Sequence, residues 1–268
     1  MEILVYFFVS LFGLIIGSFL NCIIYRLETG GSFLRGRSFC PNCKKELAWQ
    51  DLLPVFSFIF LRGKCRYCRK KISWQYPLTE IATGIIFMLV FRIFFSQIFL
   101  QSVDYLNLAY YWAITAFLII IFIYDLKHYI IPDKVIYLAI IVSVVWRAVS
   151  LFFDLYTEHE ILEIACAALV SAAFFLLIVL LSHGKWMGAG DIKLAFLMGL
   201  VLGWPGVLVA LSVAFYSGAV VGLGLMALGK KKLKSEIPFA PFLVAGTFIA
   251  LFWGNELAGW YQTVFLLK

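Results

Sequence analysis

Long apolar runs recur along this 268-residue chain, and most of them are long enough to cross a ~30 Å hydrocarbon layer as a helix. We count eight runs, at residues 3–25, 77–100, 108–124, 134–153, 161–181, 191–202, 207–228 and 239–254. With 63% hydrophobic and 14% charged residues, the composition is far more apolar than that of a soluble domain. The sequence therefore predicts an all-α integral membrane protein, a polytopic bundle of about eight transmembrane helices, of which run 191–202 is short and Gly-rich. Run 3–25 lacks a preceding basic region, so we interpret it as a retained anchor.

The loop charges predict the orientation of the bundle. Four loops hold nineteen of the 22 Lys and Arg residues: 26–76, 125–134, 183–193 and 229–236. Three loops hold none: 101–107, 154–160 and 203–206. Because basic residues accumulate in cytoplasmic loops, the first set is expected inside and both termini outside. The net charge of +7 then reflects topology and attraction to anionic lipid, and a nucleic-acid partner is not expected.

One polar, basic insertion interrupts the apolar pattern. We predict three parts: a first transmembrane helix over 1–25, a small cytoplasmic domain over 26–76, and a transmembrane domain over 77–268. About fifty residues with few aliphatic side chains cannot build a large core, so the insertion is expected to need a metal, disulfides or a partner surface. The chain shows no convincing internal repeat.

Four cysteines in two CxxC pairs can provide the crosslink that the insertion needs: Cys40, Cys43, Cys65 and Cys68. The pairs stand twenty-one residues apart, a spacing typical of two knuckles that close one tetrahedral thiolate zinc site. Four thiolates leave no open coordination position, so the predicted zinc is structural. In a reducing cytoplasm a disulfide is disfavoured. Cys22 and Cys166 lie in apolar runs and receive no role.

Two aspartates stand at the predicted cytoplasmic edge of apolar runs. Asp125 follows one run directly, and Asp191 ends the sequence Gly188-Ala189-Gly190-Asp191. Ionisable groups near the hydrocarbon are costly and are functional candidates by default. If the two carboxyl groups meet and share a proton, one acts as a base towards water and the other donates to a peptide carbonyl, as in an aspartic protease. The alternative for Asp191 is an N-cap of the following helix.

Two nearby residues leave alternatives open. Asp133 competes with Asp125 for the catalytic role, although Ile131-Pro132-Asp133 favours a helix stop followed by a cap. Lys193 either tunes the charge of Asp191 or extends towards lipid headgroups. The three histidines show no HExxH spacing and no serine stands in a GxSxG motif, so other hydrolytic schemes are disfavoured.

Several motifs together resemble those of the type IV prepilin peptidases. In chain order they are Gly17-Ser18-Phe19-Leu20-Asn21 running on to Tyr25-Arg26, the two CxxC pairs flanking Leu61-Arg62-Gly63-Lys64, Pro77-Leu78-Thr79-Glu80, Asp125 with Ile131-Pro132-Asp133, Gly188-Ala189-Gly190-Asp191-Ile192-Lys193, and Pro238-Phe239-Ala240-Pro241-Phe242. The resemblance covers nearly the whole chain.

The resemblance implies a GxGD-type membrane aspartic protease with Asp125 and Asp191 as its catalytic pair. It implies a multi-pass protein of the bacterial inner membrane that cleaves the basic leader of prepilins or pseudopilins at the cytoplasmic face, in pilus, type II secretion or competence systems. It also implies N-methylation of the new N-terminus from S-adenosylmethionine by the 26–76 domain. That domain contains no GxGxxG motif, so its cofactor-binding residues stay unassigned. Two readings compete: a zinc-stabilised membrane adaptor with structural aspartates, and a transporter with paired intramembrane carboxylates.

Overall fold

The computed structural model describes residues 2–31, 36–95, 102–229, 237–261 and 263, and these residues form helices and loops with no strand. Within these residues nine α-helices follow one another: α1 (Glu2–Thr29), α2 (Phe56–Phe60), α3 (Gln75–Phe95), α4 (Ser102–His128), α5 (Asp133–Phe152), α6 (Glu158–Ser182), α7 (Ala189–Leu202), α8 (Gly206–Ala227) and α9 (Ala240–Tyr261). A 3-10 helix covers Trp49–Leu52. The predicted all-α membrane fold is confirmed.

Seven of the described helices are long and apolar enough to span a membrane. They are α1, α3, α4, α5, α6, α8 and α9. The predicted run 191–202 does form a helix, α7, but its 14 residues rise only about 21 Å at 1.5 Å per residue. The expected eighth full-length span is therefore absent among the described residues. The end of the predicted run 77–100 lies outside the described residues.

The chain divides into two compact units, Met1–Ile120 and Ile121–Lys268, with the division inside α4. The sequence-based division at residues 25 and 76 stays a prediction. In the first unit α1 packs on α3 through glycines. A Cβ atom on Gly17 would lie 2.7 Å from the Cα of Glu80, and one on Gly13 would lie 2.8 Å from the Cα of Gly84. Small residues let two membrane helices approach this closely.

Short α7 lies among the other helices of the second unit. It packs against α5, α6, α8 and α9, and its Leu194, Leu197 and Met198 are fully buried. A Cβ atom on Gly199 would come within 2.3 Å of the Cα of Ala168 on α6, so the two helices are in backbone contact there. Eight of the fourteen residues of α7 are buried, and close packing leaves them little freedom of position.

Candidate active site and metal centre

Asp125 lies in the last turn of α4 and is only 4% exposed. Its carboxyl group accepts a hydrogen bond from the backbone N–H of Ala240, the first residue of α9. The other carboxyl oxygen, Oδ2, is buried and has no hydrogen-bond partner among the described residues. Buried polar atoms are nearly always paired, so an unpaired carboxyl oxygen marks a site where a ligand or reacting group is expected.

Asp191 is the third residue of α7, and Gly188 is the N-cap. The hypothesis that Asp191 is itself the N-cap residue is therefore wrong in detail. The carboxyl oxygen Oδ2 of Asp191 accepts a hydrogen bond from the backbone N–H of Gly188, three residues earlier, at 3.3 Å. Glycine has no side chain to return the bond, so only one half of a capping box exists here. Asp191 is 8% exposed, and its carboxylate supports the start of α7 with one oxygen.

The two carboxyl groups belong to the same unit and lie close enough for the charge of Asp125 to act on Asp191. Each carboxyl group also sits at the N-terminus of a helix, Asp125 at α9 and Asp191 at α7. Helix N-termini stabilise negative charge through their unpaired N–H groups and the helix dipole. The site therefore contains two buried carboxyl groups within electrostatic range of each other, with helix ends that offset part of the cost of burying a charge.

Gly190 is the glycine of the GxGD sequence that makes a close contact. A Cβ atom at this position would lie 3.1–3.3 Å from three side-chain atoms of Ile131, in the loop between α4 and α5. At Gly188 the same construction meets only one backbone atom, at 3.9 Å, and its φ of −82° is open to any residue. The sequence thus brings the start of α7 against the segment that follows Asp125.

Asp133, the competing aspartate, is exposed and paired. Its carboxylate accepts from Lys193 Nζ at 2.6 Å, and its side chain is 67% exposed. It begins α5 but does not cap it, because the N-cap is Pro132. The same lysine lies over the ring of Tyr137 at 4.6 Å. Lys193 therefore bonds to Asp133, a partner that the sequence interpretation did not consider.

The four cysteines of the two CxxC pairs meet in the first unit. Their sulfur atoms all lie within 4.8 Å of one another, and those of Cys40 and Cys68 are 3.9 Å apart. A tetrahedral ion with metal–sulfur bonds of about 2.3 Å requires sulfur–sulfur distances of about 3.8 Å. The cluster fits such an ion, and two of its members, Cys40 and Cys65, are buried.

The two knuckles, residues 40–45 and 65–70, share one backbone design, a repeat that the amino-acid pattern does not show. In the first, the N–H of Cys40 donates to Lys45 O and the N–H of Lys44 donates to Cys40 O. The second repeats this with Cys65, Arg69 and Lys70. Both Lys44 and Arg69 have left-handed φ values, 59° and 58°. The repeat lies in hydrogen-bond geometry and spacing, while the residues between the cysteines differ.

A buried carboxylate braces the second knuckle. Asp51 follows the first knuckle, and its side chain is only 3% exposed. It accepts from Arg66 Nε at 2.7 Å, from the Tyr67 hydroxyl at 3.1 Å and from the backbone N–H of Ala48 at 3.2 Å. Charge-assisted bonds of this kind are the strong ones. Nothing in the sequence around Asp51 predicts this role, because its partners Arg66 and Tyr67 lie fifteen and sixteen residues further on.

Two stretches of the chain match known protein families. Residues 11–94 match the bacterial peptidase A24 N-terminal domain, and residues 112–223 match the type IV leader peptidase family. A prepilin leader peptidase/N-methyltransferase of Legionella pneumophila is 31% identical over 96% of this chain and 94% of the relative. A protein of the same description from Bacillus subtilis (strain 168) is 30% identical over 94% of this chain and 95% of the relative. The chain belongs to the type IV leader peptidase family.

The two family matches separate the cysteine cluster from the aspartate pair. The leader peptidase match contains both Asp125 and Asp191, and the N-terminal match contains all four clustered cysteines. Ala240, which hydrogen-bonds to Asp125, lies outside both matches but within the stretch Pro238-Phe239-Ala240-Pro241-Phe242 noted for its resemblance to this family. No solved structure matches this chain.

Proposed function

We propose that the chain is a prepilin leader peptidase/N-methyltransferase in which Asp125 and Asp191 are the catalytic pair. The observation that carries the proposal is a pair of buried carboxyl groups at the N-termini of α9 and α7 that are near enough to interact electrostatically. One of them has a buried oxygen with no hydrogen-bond partner among the described residues. Full-length relatives with this name support the overall activity.

The pair performs peptide hydrolysis by dividing one proton between two acids. The ionised carboxylate removes a proton from water while the water oxygen bonds to the carbonyl carbon of the scissile peptide. The protonated carboxyl group donates its proton to the carbonyl oxygen. When the C–N bond breaks, the carboxyl group that took the proton from water gives it to the departing nitrogen, which leaves as a free amine. The other carboxylate recovers its proton from a hydroxyl group of the intermediate as the new carboxyl group forms. Two neighbouring carboxyl groups favour the singly protonated state, because two negative charges in a poorly hydrated site repel each other.

The substrates are prepilins or pseudopilins, whose basic leaders are removed at the membrane face that carries the site. We place this face in the bacterial cytoplasm, because the loops at the Asp125 and Asp191 ends of the helices hold the basic residues. Methylation of the new amine uses S-adenosylmethionine as the donor, and the residues that bind it stay unassigned.

The four-cysteine cluster holds a structural zinc ion. Cys40, Cys43, Cys65 and Cys68 supply four sulfur ligands, and a closed thiolate site has no position for substrate. The zinc stabilises the fold of the knuckles and takes no part in the hydrolysis. A sequence of this size with few aliphatic residues depends on such a crosslink for its stability.

The competing adaptor function predicts aspartates that are paired or that only cap helices. Asp133 meets that description, since it is exposed and bonded to Lys193. Asp125 does not, because its Oδ2 is buried without a partner among the described residues.

The proposal is tested by cleavage of a prepilin in detergent by the wild-type protein, Asp125→Asn and Asp191→Asn. We expect each variant to lose about 10²–10⁴-fold or more in kcat/KM, the usual contribution of a positioned acid or base. Asp133→Asn is the matched control and should cleave at close to the wild-type rate. Methyl transfer is followed in parallel on a substrate whose leader has already been removed. Normal cleavage by either Asp125→Asn or Asp191→Asn would exclude the pair.

A further inference from the structure

The chain between the two knuckles, together with Trp74 after the second knuckle, exposes a set of large apolar side chains. The 3-10 helix, α2 and the residue preceding α3 contribute them, with exposed fractions of 42–80%. We call this set the apolar rim: Trp49, Leu53, Phe56, Ile59, Phe60 and Trp74. In a water-soluble domain a contiguous patch of such residues is a binding surface, because leaving it in water is unfavourable.

The apolar rim presents no charge of its own. The stretch 49–60 contains one ionisable residue, Asp51. That carboxylate is buried and is bonded to Arg66 and Tyr67 of the second knuckle. The fold therefore turns the single charge of this stretch inward and leaves the aromatic and aliphatic side chains outward. Such an arrangement suits contact with hydrocarbon and does not suit contact with water.

Two contacts hold the apolar rim at the level of the membrane-spanning helices. The backbone N–H of Val55 donates to Glu80 Oε2 at 2.7 Å, and Glu80 also receives a hydrogen bond from Ser18 of α1. Glu80 is the sixth residue of α3, about 7–8 Å along the helix from its start at 1.5 Å per residue. In addition, the ring of Phe58 packs against that of Trp74 at 4.8 Å. The chain around Val55 therefore lies beside the first two turns of α3.

Basic residues flank the apolar rim. Residues 61–73 contain six Lys or Arg and no acid, and all six are exposed. The aromatic rings of Trp49 and Trp74 are of the kind enriched where membranes meet water. Exposed cations beside an apolar, aromatic-rich surface are complementary to one leaflet of an anionic bilayer. The apolar side chains would contact the hydrocarbon, and the cations would contact the phosphate groups.

A cavity of about 390 Å³ lies between α1 and the stretch that carries the apolar rim. Phe19 and Ile15 of α1, both about half exposed, contribute to its lining. Leu52, Pro54 and Arg26 also line it. The lining therefore combines apolar side chains with one cation, groups that suit a phospholipid chain and its phosphate.

We propose that the apolar rim inserts into the interface of an anionic phospholipid bilayer and anchors the zinc-knuckle segment to the membrane surface. The segment is then a monotopic element between two membrane spans, held by insertion of Phe60 and its neighbours and by the cations of residues 61–73. This inference does not depend on the proposed hydrolysis, because none of its residues belongs to the aspartate site.

The test uses the full-length protein in nanodiscs of phosphatidylcholine mixed with phosphatidylglycerol. A photoreactive p-benzoylphenylalanine replaces Phe60, the most exposed member of the apolar rim, or Glu46, an exposed residue of the first knuckle, as the control. After irradiation, mass spectrometry identifies the adducts. We expect phospholipid acyl-chain adducts at position 60 and none at position 46. Zinc content close to one ion per chain verifies that each variant is folded.

Adducts at position 60 to a second copy of the protein, or to residues 121–268 of the same chain, would overturn the proposal, as would the absence of lipid adducts there. The charge component is tested by Lys70→Gln together with Lys71→Gln. We expect the excess of phosphatidylglycerol among the adducts to fall by about fivefold for each lysine removed. An unchanged ratio would show that the basic flank does not bind the anionic headgroups.

Discussion

Arg147 of α5 donates two hydrogen bonds to the backbone carbonyl of Leu200, at 3.0 and 2.7 Å, and a third to that of Val201 at 3.0 Å. These carbonyls belong to the last turn of α7, whose final C=O groups have no partner within the helix. The guanidinium group is buried, and the ring of Tyr156 lies 5.1 Å from its carbon atom. A cation at a helix C-terminus is favourable, so Arg147 allows short α7 to end among the other helices.

Replacing Arg147 should therefore destabilise the second unit. Arg147→Met removes all three bonds and leaves buried carbonyls unpaired, and we expect a loss of roughly 1.5–3 kcal/mol in the free energy of unfolding. Arg147→Lys keeps the charge but not the forked donors, so its loss should be smaller. Thermal unfolding in detergent measures both. Equal stability of wild type and Arg147→Met would contradict this role.

Backbone contact between α6 and α7 predicts a second stability effect. Gly199→Ala places a methyl group where the Cα of Ala168 lies 2.3 Å away, so the helices must separate. We expect a loss of about 1–3 kcal/mol, the usual cost of overpacking a core. Gly224→Ala is the matched control, because nothing lies within 4 Å of a Cβ atom there. In that helix the alanine should be neutral or slightly stabilising.

Metal removal tests the cysteine cluster. Cys40→Ser should lower the zinc content of the purified protein from about one ion per chain and make the first knuckle sensitive to protease, because thiolate binding and folding are coupled in small metal domains. A strong chelator should have the same effect on the wild type. Cys166→Ser changes an exposed cysteine outside the cluster and should keep its zinc. Protease resistance unaffected by the chelator would refute the structural role.

The two glycines before Asp191 should differ in their effect on catalysis. Gly190→Ala forces the side chain of Ile131 away and shifts the start of α7, so we expect cleavage to fall about ten- to hundredfold while the protein stays folded. Gly188→Ala meets no such contact and should retain most of the activity. The measurement is kcat/KM for prepilin cleavage. Similar losses in the two variants would show that the Ile131 contact is not what matters.

The sequence could propose the aspartate pair but could not choose between Asp125 and Asp133 from the residues alone. Both stand near the same predicted membrane edge, eight residues apart. Asp125 faces the start of α9, more than a hundred residues further on, whereas Asp133 points to solvent and Lys193. This contrast depends on which helices pack together, and helix packing is a property of the tertiary structure.

Hydrophobic run length and cysteine spacing alone determined the membrane class, the helical fold and the convergence of the four cysteines, because these follow from bilayer thickness and from short-range metal geometry. The tertiary structure decided the rest. It showed that α7 is buried and short, with Arg147 at its end and Ala240 against Asp125. It also turned Asp51 inward and Trp49 and Phe60 outward. These features are contacts between residues far apart in the chain, and no local pattern encodes them.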